Sequence, residues 1–185
     1  GPDKKKFELK DVNCIQDYEF QNHDVLGSLM AAKSIMNDEL LTSYSDIIFN
    51  EKILHSMLDF KGDIGIAVDL DWEKKYVNRT QHPKNQADNV LMENNKILRV
   101  KKNIKDCKST QDIGEFIGLM KLSKKGAKIF VEKFNHLIKF HKGEFHDAPS
   151  LEKAYLTDMI QELVNSGVLV EPIIINGKWC EIDTP

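Results

Sequence analysis

The stretch "DIGIAVDL", residues 63–70, carries an unbroken apolar run through its centre. A strand with one solvated face would alternate apolar and polar side chains, so this run predicts a strand that is covered on both faces. Patterns of strand type recur along the chain, at residues 11–16, 40–49, 114–123, 168–175 and 178–183. The decisive stretch therefore predicts a buried central sheet.

Helical patterns alternate with these strands, at residues 24–36, 50–60, 124–141 and 150–167. Asn50 and Ser150 are predicted N-caps, and Gly167 is a predicted stop signal. The segment "VLMENNKILRV", residues 90–100, predicts a small β-hairpin insertion that turns at Asn94 and Asn95. Strand–helix alternation with buried strands predicts an α/β domain, with a mostly parallel central sheet flanked by helices.

The composition argues against several kinds of partner. Charged residues make up 30% of the chain and the formal net charge is −3, so binding to a nucleic acid polymer or a membrane is not expected. The basic run "RVKKNIKDCK", residues 99–108, has no interleaved aromatic residues and is interpreted as a solvated hairpin edge. Three cysteines without a C-x-x-C pair favour a reducing compartment, and hence a cytoplasmic location.

Three acids stand at the ends of predicted strands: Asp46 in "SYSDI", and Glu181 and Asp183 in "CEID". Residues two apart on a strand point to the same face, so Glu181 and Asp183 can approach one ion together. With Asp46 from a neighbouring strand end they would form an oxygen-lined site suited to Mg²⁺. The alternative is that these acids are solvated loop residues.

Six segments in chain order resemble the cytidylyltransferase branch of the sugar nucleotidyltransferase superfamily, to which phosphocholine and aminoethylphosphonate cytidylyltransferases belong. They are "NHDVLGSLMAAK", "SYSDIIF", "VDLDWEKKYVNR" with the nearby "QHP", "GEFIGLMKLSKKGA", "AYLTDMIQELV" and "KWCEIDTP". The resemblance implies the Rossmann-like fold of the nucleotide-diphospho-sugar transferases. It also implies that two acids from separate strand ends hold Mg²⁺, and the matching positions are Asp46 and Asp183, with Glu181 close by.

The resemblance implies transfer of a CMP moiety from CTP to a small phosphorylated amine or phosphonate, with release of pyrophosphate. An ammonium group on the acceptor would suit an aromatic wall and a carboxylate. By resemblance, Trp72 and Tyr155 match aromatic positions near the acceptor, and Glu115 and Asp158 are candidate anions. The alternatives are that Trp72 stabilises the sheet edge and that Tyr155 packs in the core. Glu115 stands between apolar residues of a strand, where an acid needs a partner.

The remaining site predictions also come from the resemblance. Asn22 and Ser28 resemble residues near the nucleotide, although Asn22 could equally cap the following helix. Arg79 and His82 could face the phosphate end of the acceptor. Family members often carry two glutamates just after this point, where this chain has Gln86 and Asp88.

The resemblance also predicts how the chain is organised. Residues 1–2 are interpreted as the remnant of a cleaved tag, and residues 3–185 as the C-terminal two-thirds of a single nucleotidyltransferase domain. The family's glycine-rich nucleotide loop has no match, since no G-x-G occurs in the sequence. The segment is therefore expected to be inactive alone and to expose a sheet edge, with a homodimer as one consequence. Two alternatives are a non-catalytic acceptor- or metal-binding module of the same fold and a sugar-1-phosphate nucleotidyltransferase.

Overall fold

The computed structural model describes residues 10–77 and 83–182 of the chain. The α-helices in these ranges are α1 (Val25–Met30), α2 (Glu51–Asp59), α3 (Lys124–Phe140) and α4 (Leu156–Asn165). The strands are β1 (Leu40–Ser43), β2 (Ile47–Phe49), β3 (Ile64–Asp69), β4 (Asp88–Glu93), β5 (Lys96–Lys102), β6 (Asp112–Leu122), β7 (Glu171–Ile175) and β8 (Trp179–Glu181). Short 3-10 helices cover Lys33–Ile35, Trp72–Tyr76 and Lys84–Gln86. No described helix is long and apolar enough to cross a membrane.

The main sheet has the strand order β5-β4-β6-β3-β7, and β1 pairs with the C-terminal half of β6. The pairing of β3 with β7 is parallel, whereas the other pairings of this sheet are antiparallel. The α/β class is thus confirmed, but a mostly parallel sheet does not describe these strands. An apolar run predicts that both faces of β3 are buried. It does not predict whether the neighbouring strand β6 runs parallel or antiparallel to β3.

The central strand β3 is buried along its whole length, as its apolar run predicts. Its alternate side chains Ile64, Ile66 and Val68 pack into a core with helices α1, α3 and α4. Ala67 points to the opposite face, where a second core contains Ile53 of α2. Helices therefore cover both faces of the sheet, which leaves the strand ends as the accessible sites.

Local sequence signals account for several element boundaries. The Asn50 side chain caps α2 by accepting a hydrogen bond from the backbone N–H of Lys52 at 2.8 Å. Asn94 and Asn95 both have positive φ, which asparagine tolerates, and they turn the β4–β5 hairpin as predicted. Gly167, with φ of +78°, follows the end of α4 and confirms the predicted stop signal.

Three sequence predictions were wrong. Residues 11–16 form no strand. The predicted strand over residues 40–49 is two strands in different sheets, because β1 joins the main sheet and β2 pairs with β8. The last helix begins at Leu156 rather than after Ser150, since the residue before it, Tyr155, has extended backbone angles.

Candidate active site

A cavity of about 690 Å³ opens where α1, α4, the turn between β1 and β2, and the ends of β4 and β8 meet. This volume lies within the range usual for small-molecule sites. Its lining includes the predicted residues Ser28, Asp46, Tyr155 and Glu181. Hereafter this space is called the large cavity.

The two-stranded ribbon of β2 and β8 brings two of the predicted metal ligands together. Ile47 pairs with Glu181, and the backbone N–H of Ile182 donates to the carbonyl oxygen of Asp46 at 2.8 Å. Asp46 and Glu181, far apart in sequence, therefore stand at the same rim of the large cavity. Asp183 lies outside the described residues. Within residues 10–77 and 83–182 no group of three or more metal-ligating side chains is assembled.

The ribbon is attached to the main sheet by a buried acid, Asp69, at the end of β3. Its oxygens accept hydrogen bonds from the backbone N–H groups of Asp71 and Gly177, each at 2.9 Å, and from Trp179 Nε1 at 2.7 Å. Lys75 Nζ lies 3.8 Å from Asp69 Oδ2 and 3.5 Å from the centroid of the Trp179 ring. These contacts orient β8, and with it Glu181, relative to the sheet.

A smaller cavity of about 160 Å³ adjoins the large one. The two spaces share Tyr44, Asp88, Lys102 and Glu181 as wall residues. Further walls of this small cavity are Tyr76, Gln86, Glu115, Phe116 and Trp179. It is therefore an acidic and aromatic recess beside the site of Asp46 and Glu181.

Glu115 is the most buried acid of the small cavity, with 5% of its surface exposed. The Tyr76 hydroxyl donates to Glu115 Oε1, while Oε2 is buried without a hydrogen-bond partner among residues 10–77 and 83–182. Burial raises the pKa of Glu115 to about 7, and the nearby charges of Glu181 and Asp88 act in the same direction. The prediction that this acid needs a partner is met on one oxygen by Tyr76.

Asp88, at the start of β4, is the second acid shared by both cavities. Burial raises its pKa to about 6, opposed by the positive charge of Lys102. Its Oδ1 is also buried, and no described residue forms a hydrogen bond with it. Burial and the charges of Asp88 and Asp46 raise the pKa of Tyr44 far above its ordinary value, so its hydroxyl stays protonated. The junction of the cavities thus combines acids with hydrogen-bonding phenols.

Tyr155 is 45% exposed and lines the large cavity at the start of α4, so the alternative of core packing was wrong. Lys102 Nζ lies 5.3 Å from the centroid of its ring. Asp158 is not directed at the cavity. Its oxygens accept hydrogen bonds from the backbone N–H groups of Tyr155 at 2.8 Å and of Asp147 at 3.2 Å. These are the contacts of a helix cap, and Asp158 lines neither cavity.

Trp72 is buried, and its Nε1 donates to the carbonyl oxygen of Ile113 at 3.1 Å. It lines a separate cavity and reaches the site only through an edge-to-face contact with Tyr76, at 5.8 Å between ring centroids. Trp72 lines neither of the two adjoining cavities, so it is not positioned to contact an acceptor there. Its hydrogen bond and burial fit the alternative, an aromatic residue that stabilises the sheet edge.

The other predicted site residues are Asn22, Ser28, Arg79 and His82. Asn22 is exposed and donates to Glu19 Oε2 at 2.6 Å, and it does not cap α1, whose N-cap is Asp24. It lines neither cavity, whereas Ser28 lines the large one. Arg79 and His82 lie outside the described residues.

Three site residues were missed from the sequence: Tyr44, Tyr76 and Lys102. Tyr44 and Lys102 stand directly after β1 and at the end of β5, while Tyr76 closes a 3-10 helix. Only Tyr44 had an available signal, since it lies two residues before Asp46 in "SYSDI". The position of Tyr76 depends on how β3 pairs with β6, and that of Lys102 on how β4, β5 and β6 pair.

Comparisons with known proteins agree with this architecture. No family model matches the chain. A curated relative, CTP:phosphoglutamine cytidylyltransferase from Campylobacter jejuni, is 24% identical over 170 residues, which cover 89% of this chain and 65% of the relative.

Solved structures with the same fold include the inositol-1-phosphate CTP transferase of T. maritima, with a TM-score of 0.61 and 17% identity over 92% of this chain and 59% of that one. CTP:phosphocholine cytidylyltransferase from Streptococcus pneumoniae has a TM-score of 0.54 and 11% identity, over 91% of this chain and 62% of that one. This chain thus spans less than two-thirds of the length of each of these relatives. The comparisons confirm the nucleotidyltransferase fold and the resemblance to cytidylyltransferases.

Proposed function

We propose, on the premise of a nucleotidyltransferase fold that resembles the cytidylyltransferase branch, that the protein transfers CMP from CTP to a small phosphorylated acceptor and releases pyrophosphate. One observation carries this proposal: Asp46 and Glu181 converge from distant stretches of chain on the rim of a cavity of ligand size. The relatives are named for transfer to phosphoglutamine, inositol-1-phosphate and phosphocholine, so a phosphorylated small molecule is the common acceptor type.

The acceptor that suits the walls best is a phospho- or phosphono-amine. Acids and aromatic rings line the small cavity, and such a lining attracts an ammonium group through charge and cation–π contacts. The phosphate or phosphonate end would then lie in the large cavity, beside Lys102 at the junction.

The proposed reaction is an in-line displacement, in which an acceptor oxygen attacks the α-phosphorus of CTP and pyrophosphate leaves. Catalysis of this kind depends on positioning and charge stabilisation rather than on a protein nucleophile. Ser28, Tyr155 and Lys102 line the large cavity. Ser28 and Tyr155 are proposed to bind and orient the substrates, and Lys102 to balance phosphate charge.

The donor set fits Mg²⁺, because this ion is typically held by one or two carboxylates and keeps several waters. Asp46 and Glu181 would hold it, together with Asp183, which remains a proposal from the resemblance. When bound, the ion neutralises charge on the phosphates. The two described carboxylates are therefore proposed to act as metal-holding residues of the large cavity.

Pyrophosphate release by the full-length protein tests the function directly. CTP should be compared with ATP, GTP, UTP and dTTP, using phosphocholine and 2-aminoethylphosphonate as acceptors, with Mg²⁺ and with EDTA. We expect release with CTP and Mg²⁺ that EDTA abolishes. Turnover only with sugar 1-phosphates would support the alternative sugar-1-phosphate nucleotidyltransferase. Ligand binding without any turnover would support the non-catalytic module.

We further propose that the protein acts in a reducing, cytoplasmic compartment and forms a homodimer. All three cysteines are free of disulfide bonds. Within the described ranges β1 has β6 as its one strand neighbour, and an open edge is a template for pairing with a second copy. Light scattering after size-exclusion chromatography should give twice the mass of one chain, and a monomeric mass at high concentration would contradict the dimer.

A further inference from the structure

The small cavity contains two carboxylate oxygens whose hydrogen-bonding capacity is unused. Glu115 Oε2 and Asp88 Oδ1 are both buried without a hydrogen-bond partner in the described part of the chain. Buried polar atoms are paired in the great majority of cases, so each such atom calls for an explanation. Both residues line the same recess, and Glu115 is more than nine-tenths buried.

Within residues 10–77 and 83–182, no donor lies within hydrogen-bond distance of these two oxygens, although Lys102 also lines the small cavity. The Tyr76 hydroxyl is directed at the other oxygen of Glu115. Lys75, the cation that influences Glu115 from a distance, donates to the carbonyl oxygen of Trp179 at 2.5 Å and lies over that ring. A ligand in the large cavity can bring a donor to Glu115 Oε2 and Asp88 Oδ1, because the two cavities share wall residues.

We propose that the small cavity binds the ammonium group of the acceptor and selects an ammonium that carries N–H bonds over a quaternary ammonium. This inference rests on the proposed function for the identity of the acceptor, and it names the chemistry of its cationic end. Glu115 and Asp88 are its hydrogen-bonding residues, and the phenol rings of Tyr44 and Tyr76 line the same recess.

The selection follows from what each cation can supply. A primary ammonium has three N–H donors and a full charge, which is enough donors for both Glu115 Oε2 and Asp88 Oδ1. A trimethylammonium group brings the charge but no N–H donor, and it would leave both oxygens buried and unsatisfied. Its methyl groups also require more room in a recess of only about 160 Å³.

Three ligands that share a phosphate group separate these effects: 2-aminoethyl phosphate, phosphocholine and ethyl phosphate. They carry an ammonium with N–H bonds, a quaternary ammonium and no ammonium, respectively. Isothermal titration calorimetry on the 185-residue chain should show that 2-aminoethyl phosphate binds at least about tenfold more tightly than the other two.

Variants then locate the effect. Glu115→Gln removes the charge at nearly constant size and should bring the three ligands to within about threefold of one another, and Asp88→Asn should reduce the preference in part. Glu132→Gln is a matched control, because Glu132 is exposed on α3, where it forms a surface ion pair with Lys128. It should keep the full preference. Circular dichroism melts confirm that each variant is folded.

Several outcomes would overturn the proposal. These are equal or tighter binding of phosphocholine, a preference that survives Glu115→Gln, or no measurable binding of any of the three ligands to the wild-type chain. Pyrophosphate release tests the proposed function separately. Release without an ammonium preference in binding would overturn the subsite alone. Preference in binding without any release would leave the subsite in place and overturn the transfer reaction.

Discussion

The two adjoining cavities use carboxylates in different physical settings. At the rim of the large cavity, Asp46 and Glu181 are only partly buried and lie on the β2–β8 ribbon or beside it. In the small cavity, Glu115 stands on strand β6, between β4 and β3, and is almost fully buried. Carboxylates near solvent suit a hydrated metal and phosphates, whereas buried carboxylates call for a desolvated donor. Solvent exposure, rather than residue type, thus separates the two proposed roles.

The largest expected effect concerns the rim of the large cavity. Asp46→Asn should lower turnover by about 100-fold or more, because it removes a carboxylate proposed to hold the metal beside the reacting phosphates. The free energy of unfolding should change little, since Asp46 is only partly buried. Pyrophosphate release measures the first effect and urea denaturation the second.

A matched control for this substitution is Glu51→Gln, whose side chain is 80% exposed at the start of α2. Its turnover should equal that of the wild type. Full activity of Asp46→Asn would contradict the proposal that Asp46 holds the metal. The large cavity would then have no metal-holding role at Asp46 to set it apart from the small cavity.

The next effect concerns the support of the β2–β8 ribbon. Asp69→Ala should destabilise the protein by about 3 kcal/mol, because it leaves the donors of Asp71, Gly177 and Trp179 without their shared acceptor. Asp71→Ala, which removes a surface ion pair with Lys74, should cost no more than about 1 kcal/mol. Thermal and urea unfolding compare the two, and equal losses would show that Asp69 is not the anchor of the ribbon.

A pH effect should distinguish the small cavity from the large one. The pKa of Glu115 is about 7 in the folded state against an ordinary value of 4.5, so the folded state binds this proton more tightly than the unfolded state. Stability should therefore fall as pH rises from about 4.5 through 7, by at most about 3 kcal/mol. The raised pKa of Asp88, about 6, adds a loss of the same sign, beginning at lower pH.

Urea unfolding at pH 5 and pH 8 should show this loss in the wild type and a smaller loss in Glu115→Gln. The difference between the two proteins isolates Glu115 from other titrating groups. Identical pH dependence in both would mean that Glu115 is not desolvated in the folded protein.

The smallest expected effect concerns the wall of the large cavity. Tyr155→Leu should raise the KM for a substrate about three- to fivefold, through loss of an aromatic contact of about 1 kcal/mol. Stability should change by no more than about 0.5 kcal/mol, because the side chain is half-exposed and Asp158 caps α4 through the backbone N–H. A large loss of stability would instead assign Tyr155 to packing.

Much of the fold was predictable because it depends on local patterns. The buried run in β3, the apolar stripe of α3, the Asn94–Asn95 turn and the stop at Gly167 all follow from side chains close together in sequence. The division of residues 40–49 between two sheets was not predictable in the same way. A continuous strand pattern does not show where a chain leaves one sheet for another.

The site residues also divide into those predicted from the sequence and those that depend on tertiary structure. Asp46, Glu181, Ser28 and Tyr155 were predicted from the resemblance, and the structure places them around one cavity. Tyr76 was missed because the pairing of β3 with β6 brings its segment beside Glu115. Lys102 was missed because the pairing of β5 with β4, and of β4 with β6, brings it to the small cavity. Trp72 and Asp158 carried suitable chemistry, but their hydrogen bonds commit them to the scaffold.

By itself, the sequence determined that this protein is an α/β domain with a doubly covered strand, and it supplied the acids that are proposed to hold a metal. Those properties depend on residue type and on periods of two and 3.6 residues, which neighbouring positions carry. Only the tertiary structure decided which acids meet, which are desolvated and which are used up as caps. Such properties depend on long-range strand pairing and burial, and a carboxylate's chemistry changes with the solvent and donors that the folded chain leaves around it.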